Sequence, residues 1–427
     1  MRDLQCRTRA AAIVVLLAAL GVARQPCAFA ERLPLRTLTT GDGLANNVVN
    51  RIVSDSRGYV WFCTREGLAL YDGHRFTTFG LAAGLPSAVI NGLLESQTGD
   101  YWIATDDGLV RFAPDGDVQD GPPARRAFVR YIPGADRRAR SIGAVLERRG
   151  GGLWVGTGLG LYRLEATEND WRFVAESIID HTPEISALAE DASGALWIGA
   201  SDGLYRWRAG MPTRHWTSAD GLPGNRVLSV FVDRRHRVWV GTTQGLVNLR
   251  LDPQDGSPSV EQASTPPDVF DGRWVWQVTE SWDGTIWVAT DGGVARLGPA
   301  TEAGRGPFRM FGASSGLPSP HVSALAEDRN GHLWIGTRHG AARLLASGFT
   351  IFDEHDGVPT AATLALTSRG DVLVMEAVDQ WRVNRYDGRA FVESAIPQGR
   401  PSGRAGPPRR RCRDRRPCRQ SVRRSWQ

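Results

Sequence analysis

The chain has 427 residues, 41% of them hydrophobic, with 49 Gly, 15 Trp and a formal net charge of +5. All 51 basic residues are Arg; residues 400–427 hold eleven of them with one Asp and residues 1–30 hold four with one Asp, which leaves residues 31–399 at −8. An acidic body argues against nucleic acid as a partner, and Cys63 as the one cysteine between the termini excludes a disulfide scaffold.

At the N-terminus, Arg2, Arg7 and Arg9 precede an apolar run from Ala10 to Val22, and Ala28-Phe29-Ala30 offers small residues for cleavage. Residues 1–30 therefore read as a secretory signal peptide, too short for a convincing membrane span. Cys27 follows Arg24-Gln25-Pro26, not a Leu-containing lipidation pattern, so no lipid anchor is expected. The expected location is periplasmic or secreted.

Next comes Arg36-Thr37-Leu38-Thr39, which has the look of an outer strand without a sheet of its own. It precedes Asp42-Gly43-Leu44 as later outer strands precede Asp220-Gly221-Leu222. A first strand of that kind can complete the last sheet of a ring and remove a free edge.

From there one phrase repeats. Its best copies are Leu153-Trp154-Val155-Gly156-Thr157, Leu196-Trp197-Ile198-Gly199, Val238-Trp239-Val240-Gly241-Thr242 and Leu333-Trp334-Ile335-Gly336-Thr337, with looser ones at Trp61, Trp102 and Trp287. The seven Trp are separated by 41, 52, 43, 42, 48 and 47 residues, a period that signals a repeat architecture. Each Trp sits in an aliphatic strand followed by a Gly-containing turn and a second apolar run, a hairpin pattern. Upstream strands begin near Asn47, Val89, Ile142, Ile185, Val227, Val275 and Val322, and outer strands such as Phe308-Arg309-Met310-Phe311 follow. Four short strands per repeat with no helix between them predict an all-β protein, a β-propeller of four-stranded blades. The recurrent Asp55, Asp191, Asp233 and Asp328 precede a turn and read as structural turn residues. The repeated Trp reads as packing between neighbouring blades.

A decayed eighth repeat runs from Phe349-Thr350-Ile351-Phe352 through Asp356-Gly357-Val358-Pro359, places Leu373 at the Trp position and closes with Arg382 to Gly388. The ring is therefore expected to hold seven blades, or eight, within residues 31–396. Residues 397–427 are Arg- and Pro-rich and are expected to be a disordered tail. An out-of-frame ending of a longer gene accounts for that composition.

The units Asp220-Gly221-Leu222-Pro223-Gly224-Asn225-Arg226-Val227, joined to Glu-Asp-x-x-Gly-x-Leu-Trp-Ile-Gly-Thr phrases, resemble the two-component regulator propeller repeat. That repeat is found in the periplasmic sensor region of bacterial membrane histidine kinases and related signalling proteins. The likeness extends over about residues 33–393. It implies paired seven-bladed propellers, a small β-sandwich, a membrane helix and a cytoplasmic kinase or cyclase, with a homodimer as in receptor kinases. This chain holds seven or eight repeats and none of the later parts, so it reads as a truncated or split receptor whose membrane contact lies in a missing downstream segment.

Neither a catalytic constellation nor a metal set or cofactor motif is visible among the eight scattered His residues. Function is expected where the repeat is broken. Thirteen residues before each Trp or its equivalent stand Val48, Val89, Ser141, Glu184, Arg226, Trp274, His321 and Thr360, and Arg273 and Trp276 flank the sixth of these. Arg226, Arg273, Trp274, Trp276 and His321 are the candidate ligand residues, suited to a small anionic or carbohydrate-like molecule through ring stacking and bidentate bonding. The alternative for Trp274 and Trp276 is filling of a wide gap in the sixth repeat. Alternatives for the whole chain are a secreted lyase resembling the streptogramin lyases, or a protein-binding scaffold.

Overall fold

The structure, a computed structural model, describes residue 33 and residues 35–112, 128–168, 170–251, 258–261, 267–298 and 308–346, and the strand segments 362–366, 372–376, 382–386 and 391–393. The expected signal peptide, the Arg-rich tail and the stretch 349–359 of the eighth repeat lie outside the described residues. The chain divides into two units, Met1–Ile351 and Phe352–Gln427.

Seven four-stranded antiparallel sheets form a ring in the first unit. Blade four shows the plan, with Ile185–Glu190, Leu196–Ala200, Gly203–Trp207 and Arg214–Trp216 paired in chain order. The inner strands of the seven blades begin at Val49, Ile90, Ile142, Ile185, Val227, Val275 and Val322, and each touches the next in a closed cycle. The first two start one or two residues later than the sequence predicts. The reason is local: Asn46 Oδ1 accepts the Val48 N–H at 2.8 Å and Ser87 Oγ accepts the Val89 N–H at 3.1 Å, so those amides are spent on turns.

Blade count and closure are settled by the first strand. Leu35–Leu38 pairs antiparallel with Gly340–Leu344, from Leu35 opposite Leu344 to Leu38 opposite Ala341, and becomes the outer strand of blade seven. The eighth repeat adds no blade to this ring. Its strands Ala362–Leu366, Val372–Glu376, Arg382–Tyr386 and Phe391–Glu393 form a separate four-stranded sheet in the second unit. The eight-bladed alternative is thereby set aside. The connections also differ from expectation, since one-turn helices at Arg137–Arg140 and Pro267–Phe270 and four short 3-10 segments lie between blades.

The repeated Trp packs across blades, as its fixed strand position predicts. Trp61, for example, clusters with Tyr101, Ile103 and Phe112 of blade two, and Trp197 with Val238 and Val240 of blade five. The repeated Asp is its partner. In blades one, four, five and seven the Asp side chain accepts the Trp Nε1–H at 2.8–3.0 Å (Asp55, Asp191, Asp233 and Asp328). Its other oxygen accepts two turn amides, in blade four those of Ser193 and Ala195. Asp191 is fully buried, so this carboxylate is a structural acceptor.

The Gly two residues after the Trp is there because the next blade leaves no room. A Cβ at Gly199 would lie 2.7 Å from Val227 Cγ1, the first residue of the next inner strand. Close approach, not turn geometry, excludes a side chain.

Burial pushes the Asp191 carboxyl up, but hydrogen bonds from Ser193, Trp197 and Ala195 and the Arg206 charge outweigh it, and the net direction is downward. A depressed folded pKa contributes stability above the ordinary carboxylate range and loses it as pH falls through the folded value. Asp191→Asn is therefore expected to be less stable than wild type at pH 7 and to lose less further stability on going from about pH 4 downward. Parallel acid-titration slopes of the denaturation midpoints would refute this role.

Candidate functional site

Every inner strand opens with a β-bulge. Pairing with the second strand slips by one residue between Val49 and Arg51, and the same slip recurs in all seven blades. The residue left over stands eleven positions before the Trp: Asn50, Asn91, Gly143, Ser186, Leu228, Trp276 and Ser323. A bulge re-aims its side chain, and all seven line one cavity of about 370 Å³ on the ring axis.

Several bulge residues also tie the ring together. Asn50 Nδ2 donates to the Ile90 carbonyl at 2.9 Å, Asn91 Nδ2 to that of Ile142 at 3.0 Å and Ser186 Oγ to that of Val227 at 2.5 Å, while Ser323 Oγ donates to the Val49 carbonyl across the closure. Each bond reaches the first residue of the next inner strand. Gly143, Leu228 and Trp276 break the series, and Gln277 instead exchanges two bonds with the Leu325 backbone at 2.8 and 3.0 Å. At the opposite ends of the inner strands a second set of ties appears. The carboxylates of Glu95, Glu147, Glu190, Glu280 and Glu327 accept backbone N–H groups of Ser56, Gln97, Arg149, Arg234 and Trp282 in the preceding blades. Ser54 and Val232 occupy the equivalent place in blades one and five.

Of the sequence candidates, Arg226, Trp276 and His321 line the axial cavity together. Arg226 Nη2 donates to both Glu184 oxygens at 2.9 and 3.1 Å across the mouth. The Trp276 ring lies 5.4 Å from His321 in an edge-on arrangement and 5.2 Å from Trp274, which is 43% exposed. Trp274 thus stands at the rim, behind Trp276. Arg273 is held elsewhere, with Nε donating to the Val269 carbonyl at 3.1 Å and its guanidinium over Gly292, where a Cβ would fall 1.7 Å from Nη1. Burial, and after it the Arg338 charge, hold the His321 imidazole below its ordinary value against the opposing effect of Asp291.

Sequence reasoning missed Arg51, Arg65 and Arg338, which also line the cavity. It missed the bulge ring too, although Asn or Ser recurs eleven residues before the Trp in four of the seven repeats. The acidic side chains at the cavity are both engaged: Glu184 by Arg226, and Asp106 by Asn91 Nδ2 at 2.8 Å and Ser141 Oγ at 3.2 Å.

Comparison with known proteins matches this construction. The sequence pattern of the two component regulator propeller fits residues 43–66, 221–244 and 316–339. Each match starts at a left-handed Gly that ends a 3-10 segment (Gly43, Gly221 or Gly316) and finishes in the turn after the Trp-bearing strand. No curated protein sequence matches the chain. Among solved structures, the extracellular domain of the hybrid two component system BT3049 from B. thetaiotaomicron superposes with a TM-score of 0.66 at 20% identity, covering 84% of this chain and 49% of that one. The chain thus spans about half the length of that domain. Virginiamycin B lyase from Staphylococcus aureus (TM-score 0.55, 13% identity, 72% of this chain and 98% of that one) shares the ring. So does PorZ of Porphyromonas gingivalis, with a TM-score of 0.54, 15% identity and coverage of 82% and 55%. Identities this low establish the propeller fold alone. Among the described residues no helix is long and apolar enough to cross a membrane. Three of the repeats that build this ring, those of blades one, five and seven, match the two component regulator propeller.

Proposed function

We propose that this chain is the extracytoplasmic sensor propeller of a two-component receptor of the histidine-kinase type, and that its ligand is a small molecule taken up in the axial cavity. The observation that carries this reading is the cavity itself. The repeat keeps its Trp in all seven blades and its Asp and Gly in four each, which build the ring, and it varies most thirteen residues before the Trp, where Ser141, Glu184, Arg226 and His321 line the cavity. A repeat that preserves its scaffold and varies one enclosed surface fits a binding module. The lyase fold likeness adds no catalytic residue to this cavity, and binding is favoured over catalysis. In this reading the ring lies outside the cytoplasm, and the output domain belongs to the parent receptor.

The test is ligand retention. The full chain is incubated with a small-molecule extract, passed through gel filtration and analysed by mass spectrometry. Wild type should carry a compound that Trp274→Ala and Arg226→Ala lose. Both variants should keep the wild-type melting temperature within a few degrees, because an exposed ion pair contributes only about 0–1 kcal/mol. Equal retention by wild type and both variants would rule out the axial site.

A further inference from the structure

The polar groups of the axial cavity are not equally satisfied. On the side of blades two to five, Asp106 and Glu184 are taken up by neighbouring donors. On the side of blades six, seven and one the situation is reversed. Among the described residues, Arg51, Arg65 and Arg338 form no ion pair and no side-chain hydrogen bond, although all three line the cavity. Trp276 Nε1 is buried and has no partner among the described residues. The three arginines and the Trp276 indole are all hydrogen-bond donors, and three carry positive charge; the buried Asp291 Oδ1 of blade six, also without a partner among the described residues, lies outside the cavity lining.

Arg51 is the most enclosed of the three. It stands opposite Cys63 in the strand ladder, and burial pushes that thiol up to about 12, so Cys63 is neutral and offers no counter-charge. Burial also moves the Arg51 guanidinium below its ordinary value, yet arginine stays protonated in proteins. A cation turned into an enclosed space without an anion is costly unless something supplies one.

We propose, on the basis of the axial site above, that the cavity binds a small molecule bearing two or more anionic groups, a polycarboxylate or a phosphate compound, clamped by Arg51, Arg65 and Arg338 against Trp276. Neutral sugars leave these donors unneutralised and are excluded. The volume of about 370 Å³ suits a small metabolite, being near the lower end for ligand pockets. Guanidinium forks match carboxylate and phosphate oxygens two at a time, which gives orientation as well as affinity.

Isothermal titration of the full chain with citrate, inorganic phosphate and glucose tests this. At low salt citrate or phosphate should bind and glucose should not, and the affinity should weaken as sodium chloride is raised. Arg51→Met should weaken binding at least tenfold. Arg65→Gln and Arg338→Gln, at exposed positions where folding is not at risk, should each weaken it severalfold. Arg75→Gln, in an outer turn and 80% exposed, should have no effect. Glucose binding as tightly as the anions, or binding unaltered by all three cavity variants, would overturn the anion assignment while leaving the retention experiment to judge the axial site. Failure of both anions to bind at low salt would also overturn it.

Discussion

Trp197→Ala should destabilise the ring by about 3–5 kcal/mol, the range for truncating a large buried aromatic. The side chain is fully buried and fills the space between blades four and five against Leu204, Val238 and Val240, with Trp216 stacked 5.6 Å away. Its Nε1–H also satisfies Asp191 at 3.0 Å. Truncation therefore opens a cavity and removes one donor from a buried carboxylate, and both costs fall on the same interface. Arg206 remains 3.2 Å from Asp191 and keeps the charge paired, which is why the loss stays within the packing range. Trp197→Phe separates the two parts: it keeps most of the apolar area and should cost about 1–3 kcal/mol for the lost hydrogen bond and shape. Guanidinium denaturation followed by far-ultraviolet dichroism measures both. Trp274→Ala is the internal comparison. Because Trp274 is 43% exposed, it should cost much less; an equal cost would make the rim residue part of the core.

These residues show how far a sequence reading reaches. Trp197 recurs in all seven blades and Asp191 and Gly199 in four each, at fixed spacing, because each meets the same kind of neighbour where it recurs, so their role was legible from repetition alone. The closing strand was legible for the same reason, since Leu35–Leu38 precedes an Asp-Gly-Leu turn as other outer strands do. The choice between seven and eight blades was not, because it depends on which sheet accepts that strand, a pairing across the whole ring. The bulges were hidden for a related reason. A one-residue slip between Val49 and Arg51 changes which side chain meets the axis but leaves the apolar alternation nearly intact. Hence Trp276 and His321 were found as interruptions of the repeat, whereas Arg51, one residue past the bulge, was missed because the slip that brings it to the cavity leaves no mark in the sequence. Arg273 sat beside conspicuous residues in sequence, yet its guanidinium is drawn to the Val269 carbonyl.

The second large effect concerns closure of the ring. Bringing Leu35–Leu38 to Gly340–Leu344 closes a loop of roughly 300 residues, at an entropic cost of about 5 kcal/mol from the logarithmic chain-closure relation. What offsets it is local. Leu38, 2% exposed, packs with Trp334, Phe62 and Tyr71 at the junction of blades seven and one, and Ser323 reaches the Val49 carbonyl on the axis side. The carboxylate tie present at five other junctions is missing here, because blade one has Ser54 where five of the other blades have Glu; the junction of blades four and five, with Val232, lacks it too. The junction of blades seven and one should thus be the place where the ring opens first. In hydrogen exchange, amides of Leu35–Leu38 and Gly340–Leu344 should exchange well before those of Leu196–Ala200 in blade four. Leu38→Ala should cost about 2–5 kcal/mol, as for other buried Leu truncations. Replacing residues 35–38 by a Gly-Ser stretch should do more. It removes four strand partners, bares the edge of Gly340–Leu344 to other chains and leaves Trp334 partly uncovered. The expected product is an aggregating species with no cooperative unfolding transition. A soluble monomer of that variant, unfolding within about 1 kcal/mol of wild type, would show that the ring is held shut by its blade contacts and that the first strand is dispensable.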